Sequence, residues 1–187
     1  GGQVAWALAN QEPTMTAAIV PVGAPHPLAL RSLRGRIVSG AALQYMWFKT
    51  PLLPERSLRT TSGVDRLLRS WAGPRTRQAA AEPAGYYAAL MARPGAAHSA
   101  LETVRRAVLS REEIACLSAL ARIPVMSVQG DMDPVQPAQA YARDVHHVTE
   151  HLRQVIVRGV GHFPHEEAPE RFVDALLPFL SEVGRQR

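Results

Sequence analysis

A histidine in a glycine-rich loop between a strand-like run and a helix-like run constrains this chain most. Residues Gln154 to Val157 carry a β-branched run that reads as a strand, and Phe172 to Leu180 repeat apolar residues at helical spacing. Between them stands Val157-Arg158-Gly159-Val160-Gly161-His162-Phe163-Pro164-His165-Glu166-Glu167-Ala168-Pro169-Glu170. A side chain in a loop leaving a strand end sits where open α/β sheets carry ligands and reacting groups. A second stretch has the same form. Ile123-Pro124-Val125-Met126-Ser127-Val128-Gln129 reads as a buried strand and runs into Gly130-Asp131-Met132-Asp133-Pro134-Val135-Gln136-Pro137. If the two strands are parallel neighbours, the carboxylate of one loop meets the imidazole of the other. That pair is the acid–base half of a nucleophile–histidine–acid triad, in which the acid holds the imidazole tautomer and the histidine moves the proton.

Each residue also has a plainer reading. Asp133 or Asp131 could cap the following helix, and His162 could be a packed loop histidine. The repeated strand–loop–helix context favours Asp133 and His162 as a pair, with Asp131 pointing elsewhere.

Composition removes several other classes. The 187 residues are 47 % hydrophobic and 20 % charged, which supports a packed core. Lone Cys116 rules out an internal disulfide framework and fits a reducing, cytoplasmic compartment. Arg122 interrupts the longest apolar run, so no membrane partner is expected. The net charge of +5 invites a nucleic-acid partner. The arginines are scattered, aromatics are few and no binding signature accompanies them, so none is expected. His147-Val148-Thr149-Glu150-His151 matches H-x-x-E-H, a metal motif that needs one continuous helix. β-branched Val148 and Thr149 fall where the helix should end, so no metal is expected.

Taken in order, Gly1-Gly2-Gln3-Val4-Ala5-Trp6-Ala7-Leu8-Ala9 reads as the start of a buried helix, Ala17 to Val22 as a strand, and Gly23-Ala24-Pro25-His26-Pro27 as a rigid loop in which His26 packs. From Arg31 to Cys116 strand alternation disappears, and helical segments follow one another: Leu43 to Phe48, Val64 to Trp71, Tyr86 to Met91 and Leu101 to Leu109. Ala138 to His147 reads as a further helix. The expected organisation is α/β: core at 1–30, a helical cap at 31–116 and core again at 117–187.

The paired loops resemble the C-terminal part of an α/β-hydrolase, whose pattern is a strand, Gly-x-x-Asp, a helix, a strand, Gly-x-Gly-His and a closing helix. The resemblance implies that Asp133 is the triad acid and His162 the triad base. "GGQVAWALA" and the Pro-His-Pro segment look most like the epoxide-hydrolase and dehalogenase branch, which implies a nucleophile two residues before Gly1. Gln44-Tyr45-Met46-Trp47-Phe48 resembles that branch's first cap helix, and Gly85-Tyr86-Tyr87-Ala88 its Asn-Tyr-Tyr-Arg segment. By this resemblance Tyr87 would donate a proton to the opening epoxide, with Tyr45, Trp47 and Phe163 as substrate contacts. A phenol suits the task because it can protonate an alkoxide as it forms. The plainer reading is an aromatic cluster packing the cap.

The implied activity is that of an epoxide hydrolase acting on a small-molecule substrate through a covalent ester, with no cofactor. A serine esterase or a haloalkane dehalogenase of the same fold is the alternative. From another class comes the reading that the 187 residues are a non-catalytic remnant, or a module completed by a partner chain. The three strands, all expected to be buried on both faces, would then leave an open edge prone to association.

Overall fold

The computed structural model describes residues 1–31, 41–106, 108–149 and 151–185. Its sheet is built on β1 (Val125–Gly130), every residue of which is buried. β2 (Leu152–Val157) lies parallel beside it, in register from Val125↔Leu152 to Gly130↔Val157. On the other flank, residues 17–22 run parallel to β1 and touch it through Ile19↔Val125 and Val22↔Val128. This segment was expected to be a full strand, and Pro21 explains why it pairs only by bridges. Ile19 N–H donates to Pro124 O, Met126 N–H to Ile19 O, Val128 N–H to Pro21 O and Gly23 N–H to Val128 O. The missing rung is the one that residue 21 would donate, and proline has no N–H. The expectation for β2 also needs correction. Gln154 and Ile156 are exposed, Ile156 by 58 %, so β2 is covered on one face only.

Helices cover the sheet according to the alternation of β1. α1 (Gly2–Gln11) brings Trp6 and Ala9 onto the face that carries Val125 and Ile19. Expected to be buried, α1 is covered on that side only, and Val4 is 70 % exposed. α2 (Pro27–Arg31) follows the Pro-His-Pro loop. Then come α3 (Ala41–Lys49), α4 (Leu53–Leu58), α5 (Thr61–Trp71), α6 (Arg77–Ala81), α7 (Ala84–Ala92) and α8 (Ala96–Arg105). Residues 32–40 of this expected helical block lie outside the described residues. The block has its own core, in which Phe48, Leu58, Val64, Leu68, Ala88 and Leu101 are buried. Each leucine buried this fully contributes about 1.5–3 kcal/mol. α5 forms where it does because Thr60 caps it, accepting from Gly63 N–H at 3.1 Å, and because Val64, Leu68 and Trp71 share one face. α8 begins and ends earlier than the expected Leu101–Leu109 helix: Gly95, at φ +76°, opens it, and Arg105 turns back to the Phe48 and Thr50 carbonyls.

α9 (Arg111–Leu117) starts at a capping box of Ser110 and Glu113 and packs Leu117 beside Trp6. The expected helix Ala138–His147 is instead α10 (Ala138–Ala142) followed by a 3₁₀ turn, Asp144–His147. The tighter turn keeps both Tyr141 and Asp144, three residues apart, facing inward. Asp144 accepts from His26 N–H at 2.8 Å and from Ser127 Oγ at 2.7 Å. His26 is fully buried, edge-on to Trp6 and stacked on His147 at 3.8 Å. It thus packs its loop as expected. α11 (Pro164–Glu167) and α12 (Pro169–Arg185) close the chain, and α12 sets Phe179 and Val183 against Met126, Val128 and Val157 on the opposite face of the sheet. Among the described residues no helix is long and apolar enough to cross a membrane.

Candidate active site

Because β1 and β2 are parallel neighbours in register, the loops after them leave from the same end of the sheet. Gly130, the last residue of β1, lies so close to the other loop that a Cβ there would overlap the backbone of Val160 and Gly161. Asp133 is fixed in its turn by its own backbone: Oδ1 accepts from Val135 N–H at 2.7 Å and Gln136 N–H at 3.1 Å. Oδ2 stands 3.0 Å from His162 Nδ1, and the two side chains are 2 % and 16 % exposed. Asp131 points elsewhere, accepting from Gly159 N–H at 2.5 Å. The carboxylate therefore meets one ring nitrogen, Nδ1.

Two residues that sequence reasoning had not singled out complete this arrangement. Tyr141, buried on α10, donates its hydroxyl to Asp133 Oδ2 at 3.2 Å. Burial, reinforced by the Asp133 charge, pushes its phenol pKa far up, so the group remains a donor. Glu167, only 5 % exposed, lies beneath the histidine loop. Its Oε2 accepts from Gly161 N–H at 2.7 Å, Gly73 N–H at 2.8 Å and Thr76 Oγ at 2.5 Å, and its Oε1 from Phe163 N–H at 3.0 Å. A glutamate five residues after a loop histidine is a weak signal by itself, and the partners Gly73 and Thr76 are remote in sequence.

The imidazole is walled by aromatics and glycine. The Trp71 ring stands edge-on to it at 5.3 Å and the Phe163 ring at 5.1 Å, while Trp71 and Phe163 stack at 5.8 Å. Gly23 has φ +62°, and a Cβ on it would stand 2.6 Å from His162 O and 3.2 Å from its Cε1. Gly2, at the start of α1, packs on Ala24, the residue after Gly23. The N-terminus of α1 thus borders the histidine loop through Gly23 and Ala24.

The tyrosines are engaged elsewhere. Tyr87 donates to Glu166 Oε1 at 2.7 Å, and this bond, with burial, pushes its pKa up to about 12. Tyr45 is 39 % exposed and donates to Val104 O at 3.3 Å. Trp47 is half-buried beside Phe48, with ring centroids 5.4 Å apart, in the core of the helical block. Of the expected substrate contacts only Phe163 lies against His162. In the H-x-x-E-H stretch His147 ends the 3₁₀ turn, His151 is exposed and Glu150 lies outside the described residues. Among the described residues no group of three or more His, Cys, Asp or Glu could hold a metal ion.

A strand-end Asp paired with a glycine-loop His on adjacent parallel strands places the chain in a known fold, and the comparisons agree. The model described as the alpha/beta hydrolase family matches residues 1–175, and the chain belongs to that family. A Mycoplasma genitalium protein named as an esterase/lipase is 33 % identical over 64 residues, which are 34 % of this chain and 24 % of that protein. The crystal structure of Cfl2 from Burkholderia cenocepacia is similar with a TM-score of 0.74 at 20 % identity, over 96 % of this chain and 62 % of that one. The meta-cleavage product hydrolase CumD of Pseudomonas fluorescens IP01 is similar with a TM-score of 0.66 at 20 % identity, over 97 % of this chain and 62 % of that one. The chain thus spans less than two thirds of the length of each of these relatives.

Proposed function

We propose that these residues supply the acid–base half and the covering helices of an ester hydrolase. The observation that carries the reading is the 3.0 Å approach of Asp133 Oδ2 to His162 Nδ1 in a largely buried setting. Asp133 holds the Nδ1–H tautomer and stabilises the imidazolium. His162 takes the nucleophile's proton through Nε2 and returns it to the leaving alkoxide, then repeats the cycle with water. On this reading the nucleophile reaches Nε2 from the side of the N-terminus of α1. That end borders the imidazole through Ala24 and Gly23, and its helix dipole favours the developing oxyanion. α3 to α8 act as the cap, and Phe163 and Trp71 form the apolar wall against which an acyl group packs.

An ester fits better than an epoxide. Epoxide opening calls for a phenol that gives up its proton to the ring oxygen. Tyr87 instead gives its hydroxyl to Glu166, with its pKa pushed up to about 12, and Tyr45 gives its own to a backbone carbonyl. A relative named as an esterase/lipase supports the same choice. The test is hydrolysis by the whole protein of p-nitrophenyl acetate and of styrene oxide, with His162→Ala and Asp133→Asn beside it. Ester turnover that falls at least about a thousandfold in both variants is expected. Turnover of the epoxide alone, or full ester turnover in His162→Ala, would sink the reading.

A further inference from the structure

The helical block and the histidine loop meet backbone to backbone. A Cβ on Gly161 would overlap Trp71 O and stand 2.6 Å from Gly73 N, and a Cβ on Gly73 would stand 2.5 Å from Gly159 O. At this seam His162 N–H donates to Trp71 O at 2.8 Å, so one direct bond ties the histidine itself to the end of α5. The remaining donors of the seam converge on a single side chain. Gly161 and Phe163, the residues on either side of His162, both give their N–H groups to Glu167, and Gly73 N–H and Thr76 Oγ reach the same carboxylate from the block.

We infer that Glu167 is the positioning residue for His162, and that through it the placement of the Gly73–Thr76 corner sets the aim of the imidazole. A carboxylate offers acceptors only, and four donors converge on this one, three on Oε2 and one on Oε1. Charge-assisted bonds of this kind are short and directional. The backbone on both sides of the histidine is thereby clamped to the acid's own carbon frame, while Asp133 constrains the ring from its Nδ1 side. A shift of Thr76 or Gly73 changes what Glu167 can accept and so rotates the peptide planes that carry His162. A group acting in proton transfer tolerates little such error, since misplacement by about 1 Å can cost a hundredfold in rate. The inference rests on His162 being the acid–base group, and the experiment separates the two claims.

The full chain is prepared as wild type, Glu167→Gln, Thr76→Val and His162→Ala, and two quantities are read. One is the titration of the His162 imidazole by NMR, its signal assigned by its loss in His162→Ala. The other is kcat and KM on p-nitrophenyl acetate. Glu167→Gln keeps the shape but turns an N–H donor toward donors. It is expected to displace the His162 imidazole signal and to lower kcat roughly tenfold to a hundredfold, with KM little changed. Thr76→Val, which touches neither His162 nor Asp133, should move both quantities in the same directions by less. A merely structural Glu167 would lower the melting temperature and leave kcat of the folded protein where it was. Because Glu167→Gln also deletes a charge near the ring, the NMR readout is decisive in Thr76→Val, which deletes none. Should Glu167→Gln fail to fold, Thr76→Val decides alone. Titration and kcat unchanged in Thr76→Val would overturn the inference, whereas full turnover in His162→Ala would overturn the hydrolase reading and leave the NMR test of positioning standing.

Discussion

Trp71 grips His162 twice, with its carbonyl on the histidine N–H at 2.8 Å and its indole edge-on to the imidazole at 5.3 Å. The indole N–H is itself held by Gln44 Oε1 on α3, so the ring belongs to both the helical block and the histidine loop. Truncation to Ala removes the ring contacts with His162, Phe163 and Phe48 but keeps the carbonyl. Fully buried tryptophans lose about 3–5 kcal/mol on such truncation. Trp71 is half-buried, so Trp71→Ala should cost about 2–3 kcal/mol in urea unfolding, and Trp71→Phe clearly less. Equal losses in the two variants would show that a phenyl ring restores none of the contacts and that the contribution rests on the indole's width and N–H.

Tyr141 shares Asp133 Oδ2 with His162. Tyr141→Phe deletes one hydroxyl from a buried hydrogen bond to a carboxylate, a class of bond contributing about 1.5–3 kcal/mol. We expect a loss of stability in that range and a several-fold fall in ester turnover, well short of the effect of Asp133→Asn. A turnover loss as deep as that of Asp133→Asn would mean that Tyr141 takes part in the chemistry itself.

The paired site was legible because its signal is local. Asp133 and His162 each follow a recognisable strand, and parallel pairing of those strands brings the loops to one end. The resemblance to the α/β-hydrolases rests on the same two loops. Their supports were not legible, because their roles arise from distant contacts: Tyr141 acts through a carboxylate eight residues back, and Glu167 through Gly73 and Thr76 more than ninety residues away. The hydroxyl partner of Tyr87, Glu166, was out of reach of the sequence for the same reason. Two misread elements did carry a local warning. Pro21 inside an apolar run marks a broken ladder, and polar Arg153 and Gln154 in β2 argue against burial on both faces.

Gly23 offers a sharper test of how tightly the histidine is enclosed. At φ +62° a side chain is strained whatever the space, and here the Cβ would also press on His162 O at 2.6 Å and Cε1 at 3.2 Å. Gly23→Ala should therefore destabilise by about 1–3 kcal/mol, and should also displace the imidazole. The expected result is an altered His162 NMR titration together with a lower melting temperature. A lower melting temperature with an unaltered titration would show that the strain is taken up by the 22–24 turn rather than by the histidine.

The buried pair His26 and Asp144 makes a prediction about acid. Burial, and after it the neighbouring His147, pushes the His26 pKa down from 6.5 to about 3. Burial pushes the Asp144 carboxyl up from 3.8 to about 6, against the two hydrogen bonds it accepts. A base whose pKa is depressed by folding contributes stability above pH 6.5 and loses it as pH falls toward 3. An acid whose pKa is raised contributes fully below pH 3.8 and loses that contribution as pH rises through about 6. Between about pH 6 and 4 the two slopes, each about 1.4 kcal/mol per pH unit, oppose one another, and the pair is nearly neutral to acid. Asp144→Asn removes one slope and leaves the other. His147, whose pKa is also lowered, adds to the same side in both proteins and drops out of their comparison. Relative to wild type, the variant should lose about 1.4 kcal/mol more for each unit of pH descended from 6 to 4, read as urea unfolding free energies at pH 4, 5, 6 and 7. Parallel pH dependences for the two proteins would mean that His26 and Asp144 do not titrate against each other in the folded chain.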